Sequence, residues 1–176
     1  MLYQLSSDLT GTPVADVVDR ATRSRMMAGI RATNTKPELR LRQALHRLGF
    51  RFRLHDRRLP GRPDIVLPRH RAAIFVHGCF WHRHEDCHWC TTPSSNVPFW
   101  TEKFAANVAR DHARREALRQ TGWRIATVWE CALRGEEAKR TVSDIDRWLR
   151  SDRLEYESPL VRELVHQSER GRRSTL

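Results

Sequence analysis

Between positions 77 and 90 the chain reads His-Gly-Cys-Phe-Trp-His-Arg-His-Glu-Asp-Cys-His-Trp-Cys, placing three of its four cysteines among four histidines. In an intracellular protein such a cluster indicates metal ligation before disulfides. Cys79, His84 and Cys87 have the spacing C-x4-H-x2-C, and Cys131 can add a fourth ligand from a later strand. Tetrahedral Zn²⁺ is the natural occupant of a thiolate and imidazole set. A zinc held this way pins a long loop to a distant strand end, so it restricts the fold more than any local propensity does. His88 and Cys90 compete for the same role, and buried free cysteines are the plain alternative.

The segments around the cluster suggest an α/β domain. Thr35-Lys-Pro-Glu38 opens a helix: Thr35 suits the cap, Pro37 the first turn and Glu38 the positive helix end. Leu41, Ala44, Leu45 and Leu48 follow at helical spacing, and Gly49 stops the helix. Ala15–Ile30 suggests an earlier short helix and Phe50–Leu54 a strand. Leu59-Pro-Gly-Arg-Pro63 is a turn, followed by short apolar strands at 64–67 and 72–77. After the Cys/His loop come a long helix from Phe99 to Gln120 with Phe104, Val108 and Leu118 inward, a strand over 123–129, and an amphipathic helix over 136–150 carrying Val142, Ile145, Trp148 and Leu149. This order predicts a mixed central sheet with helices on its faces. Residues 1–15 form an extension, 16–150 the domain, and 151–176 a polar, frayed tail.

Charge narrows the partner. With 32 Lys plus Arg against 21 Asp plus Glu, the chain carries +11 over 176 residues. The excess is local: Arg20 to Arg71 holds 15 basic residues and three acids, while the remainder is nearly neutral. Arginine-rich compositional drift would spread more evenly, so clustering favours a basic face for a polyanion such as nucleic acid. No apolar run is long enough to span a bilayer, and no basic start is followed by an apolar stretch. A cytoplasmic location, no membrane and a monomer are the default expectations.

Three groups have the right chemistry for a catalytic site. Asp64 opens a buried strand, where a carboxylate is held rigidly enough for Mg²⁺; a turn-forming Asp after Pro63 accounts for it equally well. If the strands at 64–67 and 72–77 pair antiparallel, Asp64 approaches the end of the second. A cation there can also take the Val76 main-chain carbonyl. His82 can then serve as a general base, against the ordinary alternative of a structural histidine, and Glu38 can lie near the metal's water. Phe80, Trp81, Trp89, Phe99 and Trp100 interleave with the loop. Core packing explains some of them, and base stacking or wedging beside a basic face explains the rest.

Six blocks occur in order: Arg20-Ala-Thr-Arg-Ser-Arg-Met-Met, Leu59-Pro-Gly-Arg-Pro-Asp64, Phe75-Val-His-Gly-Cys-Phe-Trp-His82, Phe99-Trp100, Asn107-Val-Ala-Arg-Asp111 and Val128-Trp-Glu-Cys-Ala-Leu-Arg134. Together they resemble the very short patch repair (Vsr) DNA mismatch endonucleases over roughly Asp16 to Leu149. The resemblance implies a type II restriction endonuclease-like fold of the PD-(D/E)xK type with a structural zinc site. It implies a Mg²⁺-dependent nick 5′ of the T in a T:G mismatch left by 5-methylcytosine deamination, in the bacterial cytoplasm and linked to a cytosine-5 DNA methyltransferase. Position by position it implies Asp64 and the Val76 carbonyl for Mg²⁺, His82 as base, Asp111 orienting it, and Glu38 near the metal's water. It implies Cys79, His84, Cys87 and Cys131 for Zn²⁺. Phe80, Trp81 and Trp100 correspond to aromatics wedged into DNA, and Arg23, Arg25, Met26 and Met27 to a segment against the minor groove. The acidic-x-Lys pattern usual in the second strand of this nuclease fold is missing, as the resembled family itself dispenses with it. The other readings are a restriction-like endonuclease of different specificity and a non-catalytic zinc-stabilised DNA-binding module.

Overall fold

The computed structural model describes residues 33–160 together with Thr22, which is helical. The other residues of the expected Ala15–Ile30 helix, including Arg23, Arg25, Met26 and Met27, lie outside the described residues. Helix α1 spans Lys36–Arg47, and strands β1 (Ile65–Leu67) and β2 (Ala72–His77) flank a single 3₁₀ turn. The long helix α2 (Val97–Gln120) and strand β3 (Arg124–Trp129) follow. Helix α3 (Glu137–Arg150) and strand β4 (Glu155–Glu157) complete the order.

The sheet is mixed, in the order β1-β2-β3-β4. β1 pairs antiparallel with β2, with Ile65 opposite Ile74, while β2–β3 and β3–β4 are parallel. Parallel neighbours need a crossover, and α2 and α3 supply the two required. β1 to β3 are apolar on both faces, as expected of strands covered on each side. On one face Leu41, Leu45, Ile65, Ile74, Val128, Ile145, Trp148 and Leu149 form the main core. On the other, Ala73, Phe75, Leu118 and Ile125 form a smaller one.

Sequence signals explain the element ends. Glu38 reaches back to the Thr35 N–H at 3.3 Å and accepts the Thr35 hydroxyl at 2.8 Å, closing the first turn of α1. Gly49 follows the helix at φ +87°, the left-handed conformation that favours glycine there. Gly61, in the turn before β1, combines φ +74° with close approach to the Arg114 side chain. A Cβ at that position would lie 2.9 Å from Arg114, so the turn can lie this close to α2 only as glycine.

Three sequence expectations are corrected. Phe50–Leu54 is not a strand; Arg53 alone makes an isolated bridge to Val66. Val108 is exposed, because the inward stripe of α2 runs through Trp100, Phe104, Asn107 and Leu118. Residues 151–160 are not frayed: β4 extends the sheet, with Ile125 donating to the Leu154 carbonyl at 2.9 Å and Ser158 to that of Thr127 at 3.0 Å.

Candidate active site and metal centre

The end of β2 is where the candidate residues meet. The Val76 N–H donates to Asp64 Oδ2 at 2.8 Å, so the antiparallel β1–β2 pairing does bring that carboxylate to the second strand. One residue on, the His77 ring stacks on His82 with centroids 3.9 Å apart and planes within 7°. His82 Nδ1 lies 2.5 Å from Asp111 Oδ2. Asp111 sits on α2 four residues after Asn107, whose side-chain amide donates to the Trp81 carbonyl at 3.0 Å. One stripe of α2 therefore holds both the loop backbone and the imidazole. The His77, His82 and Asp111 side chains face an open groove of about 490 Å³, with Arg115 and His112 on its wall.

The electrostatics separate these groups. Burial raises Asp64 to about 6, and the nearby Glu38 adds to this; the Val76 N–H, Arg42 and His82 oppose it. Burial pushes His77 down to about 3, and the charge of His82 works in the same direction. His77 is thus a neutral neighbour to His82. For Asp111, burial is the largest single influence and acts upward. The His82 hydrogen bond and the charges of His82, His77 and Arg114 together outweigh it, so its carboxyl lies below the usual range. An ionised Asp111 accepts from Nδ1–H and leaves Nε2 as the free basic nitrogen.

Glu38 is deeply buried and heavily engaged. It accepts from the Asn34 and Thr35 N–H groups and the Thr35 hydroxyl, and pairs with the buried Arg42 guanidinium. Its capping role and its place beside Asp64 therefore coexist. Sequence reasoning missed His55, which lies between the two acids, 3.8 Å from Glu38 and 3.7 Å from Asp64. Burial first, then the Arg42 charge, holds His55 below the usual histidine range. No spacing pattern pointed to it. The local signal is conformational: His55 has φ +48°, in the left-handed region uncommon for residues other than glycine.

The second cluster comprises Cys79, His84, Cys87 and Cys131, whose donor atoms all lie within 4.8 Å of one another. His84 Nδ1 lies 3.6 Å from Cys79 Sγ and 3.4 Å from Cys131 Sγ. Zinc–sulfur and zinc–nitrogen bonds of about 2.3 and 2.0 Å at tetrahedral angles give an S···N edge of about 3.5 Å, so this set fits Zn²⁺. Neither His88 nor Cys90 belongs to the cluster. The Cys131 thiol beside it, and then burial, push the Cys79 thiol far up; burial also raises Cys87. The His84 ring stacks on Trp129 at 4.1 Å, tying the cluster to β3.

The aromatics form one group. Phe80 packs edge-on against Trp81, Trp100 and Phe104. Trp100 is buried as the floor of this group, Phe80 and Trp81 are half-buried, and the adjoining Phe99 is exposed.

Comparison with known proteins gives this geometry a family. The family model described as DNA mismatch endonuclease Vsr matches residues 15–89. The DNA mismatch endonuclease Vsr of Escherichia coli K12 is 48% identical over 124 residues, covering 70% of this chain and 79% of that protein. The chain belongs to the Vsr family. A Vsr relative from Xanthomonas oryzae pv. oryzae, named a type II nicking enzyme, is 46% identical over 120 residues, 68% of this chain and 88% of its own length. Another, from Lentzea aerocolonigenes and also named a type II nicking enzyme, is 41% identical over 62% of this chain and 68% of its own. The Vsr match at 15–89 takes in Glu38, Asp64, Val76, His82 and three of the four zinc-type donors.

Proposed function

We propose that this Vsr-family protein is a DNA mismatch endonuclease that nicks one strand 5′ of the T in a T:G pair, on a restriction endonuclease-like scaffold. The supporting observation is the convergence at the end of β2: Asp64 on the Val76 main chain, and His82 on Asp111. Asp64 fits a hard cation because its buried carboxylate carries charge in a place that disfavours charge. Asp64 and the Val76 main-chain carbonyl would hold Mg²⁺. When bound, the ion neutralises charge on the scissile phosphate.

The remaining work belongs to the side chains. His82 Nε2 takes the proton of the attacking water, and Asp111 fixes the Nδ1–H tautomer and stabilises the imidazolium. Glu38, occupied by Arg42 and its own helix turn, acts through local charge. Cys79, His84, Cys87 and Cys131 would hold Zn²⁺ and so fix the loop that carries His82. Phe80 and Trp81, standing on the buried Trp100, wedge into the base stack beside the mismatch. Unstacking costs a few kcal/mol per step, and less where pairing is already weak. Arg23, Arg25, Met26 and Met27 line the minor groove in this reading, the protein acts as a monomer in the cytoplasm, and the substrate arises from the product of a cytosine-5 methyltransferase.

The test is nicking of matched duplexes that differ only in T:G against T:A. Cleavage confined to T:G and lost in Asp64→Ala and His82→Ala is the expected result. Equal cleavage of both duplexes favours a restriction-like specificity. Undiminished cleavage by the two variants overturns the site.

A further inference from the structure

His55 stands between the two acids of the cation site without a role in the mechanism above. The Glu38, His55 and Asp64 donor atoms lie within 4.8 Å of one another, so the imidazole has the placement of a third ligand. Its hydrogen bonding points elsewhere. Arg42 Nη2 lies 3.0 Å from His55 Nε2. A guanidinium has donors and no acceptor, so Nε2 must present its lone pair to Arg42. The one hydrogen of the neutral ring then sits on Nδ1. That nitrogen faces Asp64 Oδ1 at 3.7 Å, while Asp64 Oδ2 is taken by the Val76 N–H at 2.8 Å. A protonated Nδ1 has no lone pair for a cation. It can donate to the carboxylate once a short closure brings the pair into hydrogen-bond range, as happens when loose contacts tighten on loading.

We infer that His55 is a positioning residue for the cation-binding carboxylate: Arg42 fixes its tautomer, and its Nδ1–H orients Asp64 rather than ligating the ion. The inference rests on the reading of Asp64 given above. The two oxygens of Asp64 are then both directed, one by the β2 main chain and one by His55. This limits rotation of the carboxylate and fixes the lone pairs left for a cation. Arg42 also pairs with the buried Glu38, so one guanidinium links α1 to the segment that carries His55. His55 takes up this position from a left-handed backbone, φ +48°, a conformation uncommon for residues other than glycine.

Two substitutions separate the ring's two hydrogen bonds. Asn places an amide nitrogen where Nδ1 stands and loses the Arg42 acceptor. Gln reaches the Nε2 position, keeps an acceptor for Arg42 and loses the donor to Asp64. In the metal-free wild type, nitrogen-15 NMR of the imidazole is expected to show the hydrogen on Nδ1. Titration with Mn²⁺ alone is expected to show His55→Gln binding about 10-fold more weakly than wild type, with His55→Asn staying within about 3-fold, the range typical of partners that orient a ligand. T:G nicking by the two variants should fall in the same order through kcat, with KM for DNA unchanged. Thermal unfolding of both variants separates loss of the donor from loss of the fold. A hydrogen found on Nε2, or equal Mn²⁺ affinities in the two variants, overturns the inference. Failure of wild type to nick T:G overturns the functional reading instead and leaves the NMR and Mn²⁺ results interpretable.

Discussion

Asp64 is the residue at which folding and chemistry oppose each other. Its carboxyl, raised by burial to about 6 against an ordinary value of 3.8, holds a proton in the folded state that the unfolded chain has released. Stability from this group is therefore full below about pH 4, falls as pH rises towards 6, and stays reduced above it. Two pKa units correspond to a ceiling near 3 kcal/mol. In metal-free buffer at pH 8, Asp64→Asn is expected to stabilise the fold by about 2 kcal/mol while abolishing nicking, with no stabilisation at pH 4. Denaturant titrations at the two pH values measure this, and equal effects at both would contradict it. His82 and Asp111 are the counterpart: the neutral His77 stacked on one side and the Asp111 carboxylate on the other leave His82 a single free nitrogen.

At the scale of elements, α1, β1 to β3 and the two long helices were legible because each carries its own signal. Period-3.6 apolar spacing marked α1 and α3, and unbroken apolar runs marked the buried strands. β4 was not legible. Glu155-Tyr-Glu157 puts one apolar residue inward between two acids, and three residues are too few for alternation to stand out. What holds β4 is tertiary: Tyr156 packs on the core, and the buried Trp129 N–H donates to Ser158 Oγ at 2.9 Å. Ser158→Ala is expected to cost about 1–3 kcal/mol, because it leaves that N–H without a partner where water cannot reach. A change of a few tenths in chemical denaturation would show that β4 contributes little. The site divided along the same line. Asp64, His82 and the zinc-type donors lie in compact motifs, whereas His55 is recruited by a left-handed turn and a distant arginine that no local pattern announces.

At the scale of the molecule, the basic excess and the cysteine cluster have separate jobs. The run from Arg20 to Arg71 includes α1 and the turn that presents Asp64, and within it the Arg42 charge acts on both His55 and Asp64 and the Arg62 charge on His55. Binding to duplex DNA should weaken steeply with salt, by about 0.9 of a logarithmic unit per tenfold rise in salt for each neutralised phosphate. Titrations at salt concentrations between about 50 and about 200 mM measure this, and a flat response would remove the phosphate-contact role. The cluster predicts about one Zn per chain by elemental analysis, lost in Cys131→Ser. The high Cys79 and Cys87 thiols must shed protons to bind it, so zinc uptake should weaken as pH falls.

The segment from Val76 to His84 commits most of its residues to neighbours elsewhere in the fold: Asp64, Phe104, Asn107, Asp111, Cys131 and Trp129 each meet one of its members. Such a segment cannot change length. One residue gained or lost between Cys79 and His84 would break the cluster and shift Phe80, Trp81 and His82 away from Phe104, Asn107 and Asp111, because none can move without the others. Length change is admissible only beyond Cys87, where His88 and Trp89 are exposed and the chain runs on to α2. Change in this protein's loop is thereby channelled to one side of a fixed ruler, twelve residues long from Val76 to Cys87, laid from the sheet to the Cys/His cluster.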